Sequence, residues 1–217
     1  MLKLYSVATA LAVAVSLATG PASAAQDKHA PSAPDKHGSA AAGQGKQSFE
    51  HVHALAVTAD GRTLFLGAHT GLFRSEDGGR AWQPVALPSK DPHVDVMAAT
   101  AHPEDALTVY VATHEAGVFK TTDGGNTWHA ASAGLAGADV HGLAIDPREP
   151  QKLHAAVRDK GEGIYRTVDG GAKWVRVDDG PGGEVKVLSS VNISTGMGGI
   201  FLYAGTAEGL QRNPDCF

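Results

Sequence analysis

Three observations predict an all-β repeat fold for this 217-residue chain. One phrase occurs three times, as Ser75-Glu-Asp77-Gly78-Gly79-Arg-Ala-Trp82, Thr121-Thr-Asp123-Gly124-Gly125-Asn-Thr-Trp128 and Thr167-Val-Asp169-Gly170-Gly171-Ala-Lys-Trp174, and it uses all three tryptophans. Asp77, Asp123 and Asp169 are spaced 46 residues apart, and a fixed period of that size marks a repeat architecture. Short β-rich runs bounded by turn residues recur upstream of each phrase, whereas no stretch combines helical periodicity with caps. Four short antiparallel strands in 46 residues make one blade of a β-propeller, and the chain holds about four, closed into a ring or left as an open arc.

The first 24 residues read as a signal peptide: Lys3, an apolar run from Leu4 to Ala18, then Ala22-Ser23-Ala24 before a cleavage expected between Ala24 and Ala25. The expected location is therefore periplasmic or secreted. No other run is long enough to predict a membrane-spanning helix. Residues 25–48, built from Ala, Gly, Pro, Ser, Lys and Gln, cannot bury enough apolar surface to offset their conformational entropy and are expected to form a disordered tether. His29 and His37 lie there in Asp-Lys-His triplets, as weak chelators at most. The 18 basic and 23 acidic side chains give a net charge of -5, which argues against a nucleic-acid partner. A single cysteine, Cys216, leaves stability to packing rather than to intrachain disulfides.

From residue 49 to 217 the period governs the chain. Each unit opens with an acidic or His residue followed by Val: His51-Val52, Asp95-Val96, Asp139-Val140 and Glu184-Val185. The first strand is placed after that Val. A second follows at Leu64–Gly67, Val109–Ala112, Leu153–Val157 and Ile200–Gly205. A third begins near the column Gly71, Gly117, Gly163 and Gly209 and carries a basic column, Arg74, Lys120, Arg166 and Arg212. The fourth starts at the Trp. One further period reaches Asp215, after which the pattern lapses, so the last blade is expected to be incomplete and the chain a truncated propeller. An open arc would expose strand edges and favour self-association.

The phrase suits a tight turn between third and fourth strands. The carboxylates of Asp77, Asp123 and Asp169 can accept turn amides, with Ser75, Thr121 and Thr167 adding a hydroxyl bond. The Gly pairs ending in Gly79, Gly125 and Gly171 supply positive φ, and Trp82, Trp128 and Trp174 bury large rings against neighbouring strands. This pattern, Ser/Thr-x-Asp-x-Gly-x-x-Trp, resembles the Asp-box or BNR repeat of propellers similar to bacterial sialidases, sortilin ectodomains, certain endoglucanases and photosystem II assembly factors. The resemblance implies that the boxes lie at the blade periphery, away from any active site. It does not choose between hydrolase and binding protein.

A sialidase-like site would imply an arginine triad, a Tyr-Glu pair and an acidic Asp. Arg74, Arg166 and Arg212 occupy the structural column, and Tyr110, Tyr165 and Tyr203 fall within predicted strands, so that activity is not expected. A glycoside hydrolase using two carboxylates would draw on Glu115, Asp159, Glu162 and Glu208 in the loops between second and third strands.

The histidines are the more distinctive set. The loops entering first strands carry His51, His53, His93 and His141, and those after second strands carry His69 and His114. In a propeller these loops open on one face. His51 and His53 alternate along a strand, with Asp95 and Asp139 in equivalent positions nearby, so a zinc or copper site is chemically reasonable there. No certain cofactor is indicated. The expected function is a non-enzymatic exported propeller that binds a protein, glycan or metal through this face, with the glycoside hydrolase as the alternative.

Overall fold

Each repeat becomes one antiparallel sheet whose strands follow one another in sequence order. A computed structural model describes residues 49–214 apart from 92, 182, 183 and 196–198. The expected signal peptide, the tether and Asp215 of the fourth box lie outside the described residues.

Blade 1 comprises β1 (Val52–Val57), β2 (Leu64–Ala68), β3 (Gly71–Ser75) and β4 (Gln83–Val85). Blade 2 comprises β5 (Val96–Ala101), β6 (Val109–Thr113), β7 (Val118–Thr121) and β8 (His129–Ala130). Blade 3 comprises β9 (Val140–Ile145), β10 (Leu153–Val157), β11 (Gly163–Thr167) and β12 (Val175–Asp178). Blade 4 has three strands among the described residues: β13 (Val185–Ser194), β14 (Ile200–Thr206) and β15 (Gly209–Pro214). The fourth strands begin one residue after each Trp rather than at it, because the indole completes the turn and does not pair.

Successive blades pack through their first strands, β1 on β5, β5 on β9 and β9 on β13. Apolar side chains fill the three spaces between them. Phe65, Val96, Val111 and Trp128 join blades 1 and 2; Tyr110, Val140, Leu153 and Trp174 join blades 2 and 3; Ala156, Val185, Leu188 and Leu202 join blades 3 and 4. Gly67 is required on β2 because a Cβ there would lie 2.6 Å from the Val96 side chain of the next blade.

The boxes form the turns expected of them. In the first, the Asp77 Oδ1 accepts the amides of Arg80 and Ala81, each at 2.9 Å, and the Ser75 hydroxyl at 2.8 Å; the Ser75 oxygen in turn accepts the Gly79 amide at 2.9 Å. The second box adds a hydroxyl bond from Thr127 to Asp123, at 2.6 Å. That bond, the Thr127 amide and the Thr121 hydroxyl hold the Asp123 carboxyl well below the usual carboxylate range. Asp77, chiefly through the Ala81 amide, and Asp169, chiefly through the Thr167 hydroxyl, are lowered in the same way. Gly125 has φ +89°, and a Cβ on it would meet the Phe65 ring at 2.7 Å, so both turn and packing exclude a side chain.

The second and third boxes also dock on the preceding blade. Trp174 is 1 % exposed, and its indole N–H donates to the Ala131 carbonyl at 2.7 Å; Trp128 sits edge-on to Phe65. Tyr110 Oη and Lys120 Nζ both donate to the Gly170 carbonyl, at 3.1 and 3.0 Å, and Arg74 reaches Asn126 at 3.4 Å. The basic column therefore ties one blade to the next box. Trp82 has no preceding blade among the described residues and is only partly buried, packing on Phe49 with ring centroids 5.9 Å apart.

Candidate functional site

The first strand of every blade begins with a bulge. Pairing passes from Val52 to Ala54, from Val96 to Ala98, from Val140 to Gly142 and from Val185 to Val187, skipping His53, Met97, His141 and Lys186. A bulge kinks the strand and re-aims the extra side chain. Here it sets two imidazoles beside the residue that precedes a first strand and the residue that follows a second strand.

Those two flanking positions pair across every described blade junction. His69 Nδ1 lies 2.9 Å from Asp95 Oδ2, His114 Nδ1 lies 3.0 Å from Asp139 Oδ1, and Arg158 Nη2 lies 2.9 Å from Glu184 Oε1. The residue after a second strand also donates its backbone amide to the carbonyl before the first strand of its own blade, His114 to Asp95 at 3.0 Å and Arg158 to Asp139 at 2.9 Å. The junction is thus latched by a cation or imidazole against a carboxylate.

At two junctions the bulge adds a second imidazole. His141 Nε2 lies 2.7 Å from Asp139 Oδ1 and 3.3 Å from His114 Nδ1, so three donor atoms converge at 2.7–3.3 Å. Donors bound tetrahedrally at about 2.0–2.1 Å from a zinc ion stand roughly 3.3 Å apart, so the spacing suits such an ion. Burial pushes the His141 pKa down, Arg158 and His114 add to this, and the nearby Asp139 opposes it; the net direction favours the neutral ring that ligates. At the first junction, His53 Nε2 lies 3.4 Å from Asp95 Oδ1, completing a set with His69. Asp95 Oδ1 is itself buried and accepts no hydrogen bond among the described residues. Both sets combine one Nδ1, one Nε2 and one carboxylate, a donor mix that suits zinc or copper(II).

The grouping differs from a single site built on His51 and His53. His51 precedes β1 at φ +45°, so it does not alternate with His53 along the strand; its ring stands 6.1 Å from that of His69, outside the triad. Asp95 and Asp139 separate onto different junctions. His93 is exposed and lines a groove with Asp95, His114 and Glu115 without entering either set. The bulge is what spacing alone did not reveal; its trace in the sequence is the repeated Val-x beginning each first strand.

The four loop carboxylates have different surroundings. Glu115 borders the groove beside His93, and Glu162 lines a second groove with Arg158 and Val185. The Glu162 carbonyl holds the Arg176 guanidinium. Asp159 accepts the Asp139 amide at 3.4 Å, and Glu208 stands exposed in the turn before β15. Neither groove holds two of the four.

Comparison with known proteins places the chain in context. The family model described as "Sortilin, neurotensin receptor 3" matches residues 70–186, just over half of the chain. No curated protein matches it by sequence. Among solved structures, the GH74 enzyme of Niastella koreensis superposes with a TM-score of 0.57 at 22% identity, over 73% of this chain and 26% of that one. The extracellular domain of a putative hybrid two component system from B. thetaiotaomicron gives 0.57 at 18% identity, over 80% and 22%. YCF48 bound to D1 peptide gives 0.53 at 16% identity, over 73% and 49%. The chain thus spans about a quarter to a half of the length of these structures, which share its propeller fold and include both an enzyme and a protein solved with a bound peptide. Among the described residues no helix is long and apolar enough to cross a membrane.

Proposed function

The chain belongs to the sortilin family, and from that premise we propose that it is an exported, non-enzymatic binding module whose His-rich face holds a divalent transition-metal ion, zinc or copper, and engages a protein or glycan partner there. The observation that carries this reading is the convergence of His114 Nδ1, His141 Nε2 and Asp139 Oδ1 within 3.3 Å of one another. Two protonated imidazoles at that separation would repel, whereas two neutral ones beside a carboxylate form a ready donor set. Three protein donors leave one tetrahedral position open, and a partner's imidazole or carboxylate can fill it. Export rests on the sequence of residues 1–24. Neither the groove at Glu115 nor that at Glu162 holds a second of the four candidate carboxylates, which favours binding over the glycoside hydrolase alternative.

Calorimetric titration with zinc chloride and copper(II) tests this, using a His29→Ala, His37→Ala background to remove the tether imidazoles. The wild-type face should bind in the micromolar range or tighter. His53→Ala/His69→Ala and His114→Ala/His141→Ala should each abolish one class of site. Unchanged heats in both double variants would overturn the reading.

A further inference from the structure

We infer that the two His-Asp sets are unequal and that Arg158 weakens the second: the first junction takes a metal ion freely, whereas the second takes one only against the permanent charge of an arginine that Glu184 holds beside His141. This rests on the metal-binding reading above and deepens it.

The argument begins with position. Arg158 follows the second strand of blade 3, where blades 1 and 2 carry His69 and His114. It therefore meets Glu184 across its junction, at 2.9 Å, as those imidazoles meet Asp95 and Asp139. An arginine is longer than a histidine and carries a permanent charge. Its second nitrogen turns back to blade 3's own bulge residue: Arg158 Nη1 lies 2.8 Å from His141 Nδ1 and 2.9 Å from His141 Nε2.

The guanidinium therefore lies against the whole ring whose Nε2 faces Asp139 and His114. An ion bound by His141 Nε2 would sit about 2.0 Å from it, leaving a divalent charge and the guanidinium within a few ångströms of each other. Arg158 thus sets a permanent cation beside the second set, and its pairing with Glu184 keeps it there.

The first junction has no such competitor. Neither Arg nor Lys contacts His53, His69 or Asp95 among the described residues, and Asp95 Oδ1 is left without a hydrogen bond. The first site should therefore fill first, and the second should respond to whatever draws Arg158 away, such as an acidic partner group at the same face.

Zinc titration of the same His29→Ala, His37→Ala protein, with and without Arg158→Gln, decides between outcomes. The wild-type protein should bind one equivalent tightly and a second at least ~10-fold more weakly. Arg158→Gln should tighten the second class ~10-fold or more and leave the first unchanged, because only the local charge is removed. The lower-affinity class is assigned by its disappearance in His114→Ala. Two equal classes in the wild type, or a second class indifferent to Arg158→Gln, would overturn the inequality while leaving the metal sites standing. Zinc binding in neither protein would overturn the metal sites themselves.

Discussion

The three box tryptophans occupy identical positions in the sequence repeat, yet their replacement by Ala should cost very different amounts. A tryptophan buries about 150–250 Å² when fully enclosed, and at about 25 cal/mol per Å² that corresponds to roughly 4–6 kcal/mol as an upper bound. Trp174 is 1 % exposed between blades 2 and 3, and its loss also strands the Ala131 carbonyl. Trp174→Ala should therefore destabilise by about 5 kcal/mol, a large share of the total stability of a domain of this size. Trp128 is 6 % exposed and its indole nitrogen has no partner among the described residues, so Trp128→Ala should cost about 4 kcal/mol. Trp82 has only Phe49 and its own turn to pack on, so Trp82→Ala should cost about 2 kcal/mol, half of the apolar payload. Urea unfolding followed by circular dichroism gives all three, with the slope unchanged if only stability has moved. Equal losses at the three sites, or the largest loss at Trp82, would refute the claim that each indole stabilises through the blade preceding it.

Two further outcomes follow from the turns and the junctions. The carboxyls of Asp77, Asp123 and Asp169 lie below their usual range in the folded state, so their contribution is present above the unfolded carboxylate pKa of about 3.9 and is lost as pH falls through the lower folded values. Stability measured by thermal melts should fall steeply below about pH 4, and Asp123→Asn should flatten that fall while lowering stability at pH 7. His51 is the one non-glycine residue with positive φ among the described residues, and a β-branched side chain fits that region poorly. His51→Gly should be neutral or raise the melting temperature, whereas His51→Val should cost about 1–2 kcal/mol, a drop of about 2–8 °C.

Much of the fold was legible because the repeat reports itself. The second strands read from β-rich runs coincide with β2, β6, β10 and β14 to within a residue, since their buried faces demand those residues. The boxes were equally readable, because a carboxylate, a hydroxyl, two glycines and an indole at fixed spacing have one turn to make. The repeat topology also assigns His51, His53, His69, His93, His114 and His141 to loops on one face. What spacing could not give was their grouping. That depends on a bulge of one residue at His53 and His141, which reverses the alternation a regular strand would impose, and on the positive φ that sets His51 apart. The reach of Arg158 to His141 was hidden for a similar reason: it joins positions 17 apart in sequence that pair only once the sheet is bulged.

The central claim is that histidines of this face are the ligands of a bound metal ion, and X-ray absorption at the zinc edge addresses it most directly. Protein carrying His29→Ala and His37→Ala, loaded with one equivalent of zinc, should show a shell of nitrogen and oxygen at about 2.0–2.2 Å with the multiple scattering of two imidazoles. With the second set removed by His114→Ala and His141→Ala, one imidazole should vanish on adding His69→Ala. A shell of oxygen alone, or two imidazoles persisting when His69→Ala, His114→Ala and His141→Ala are combined, would contradict the account.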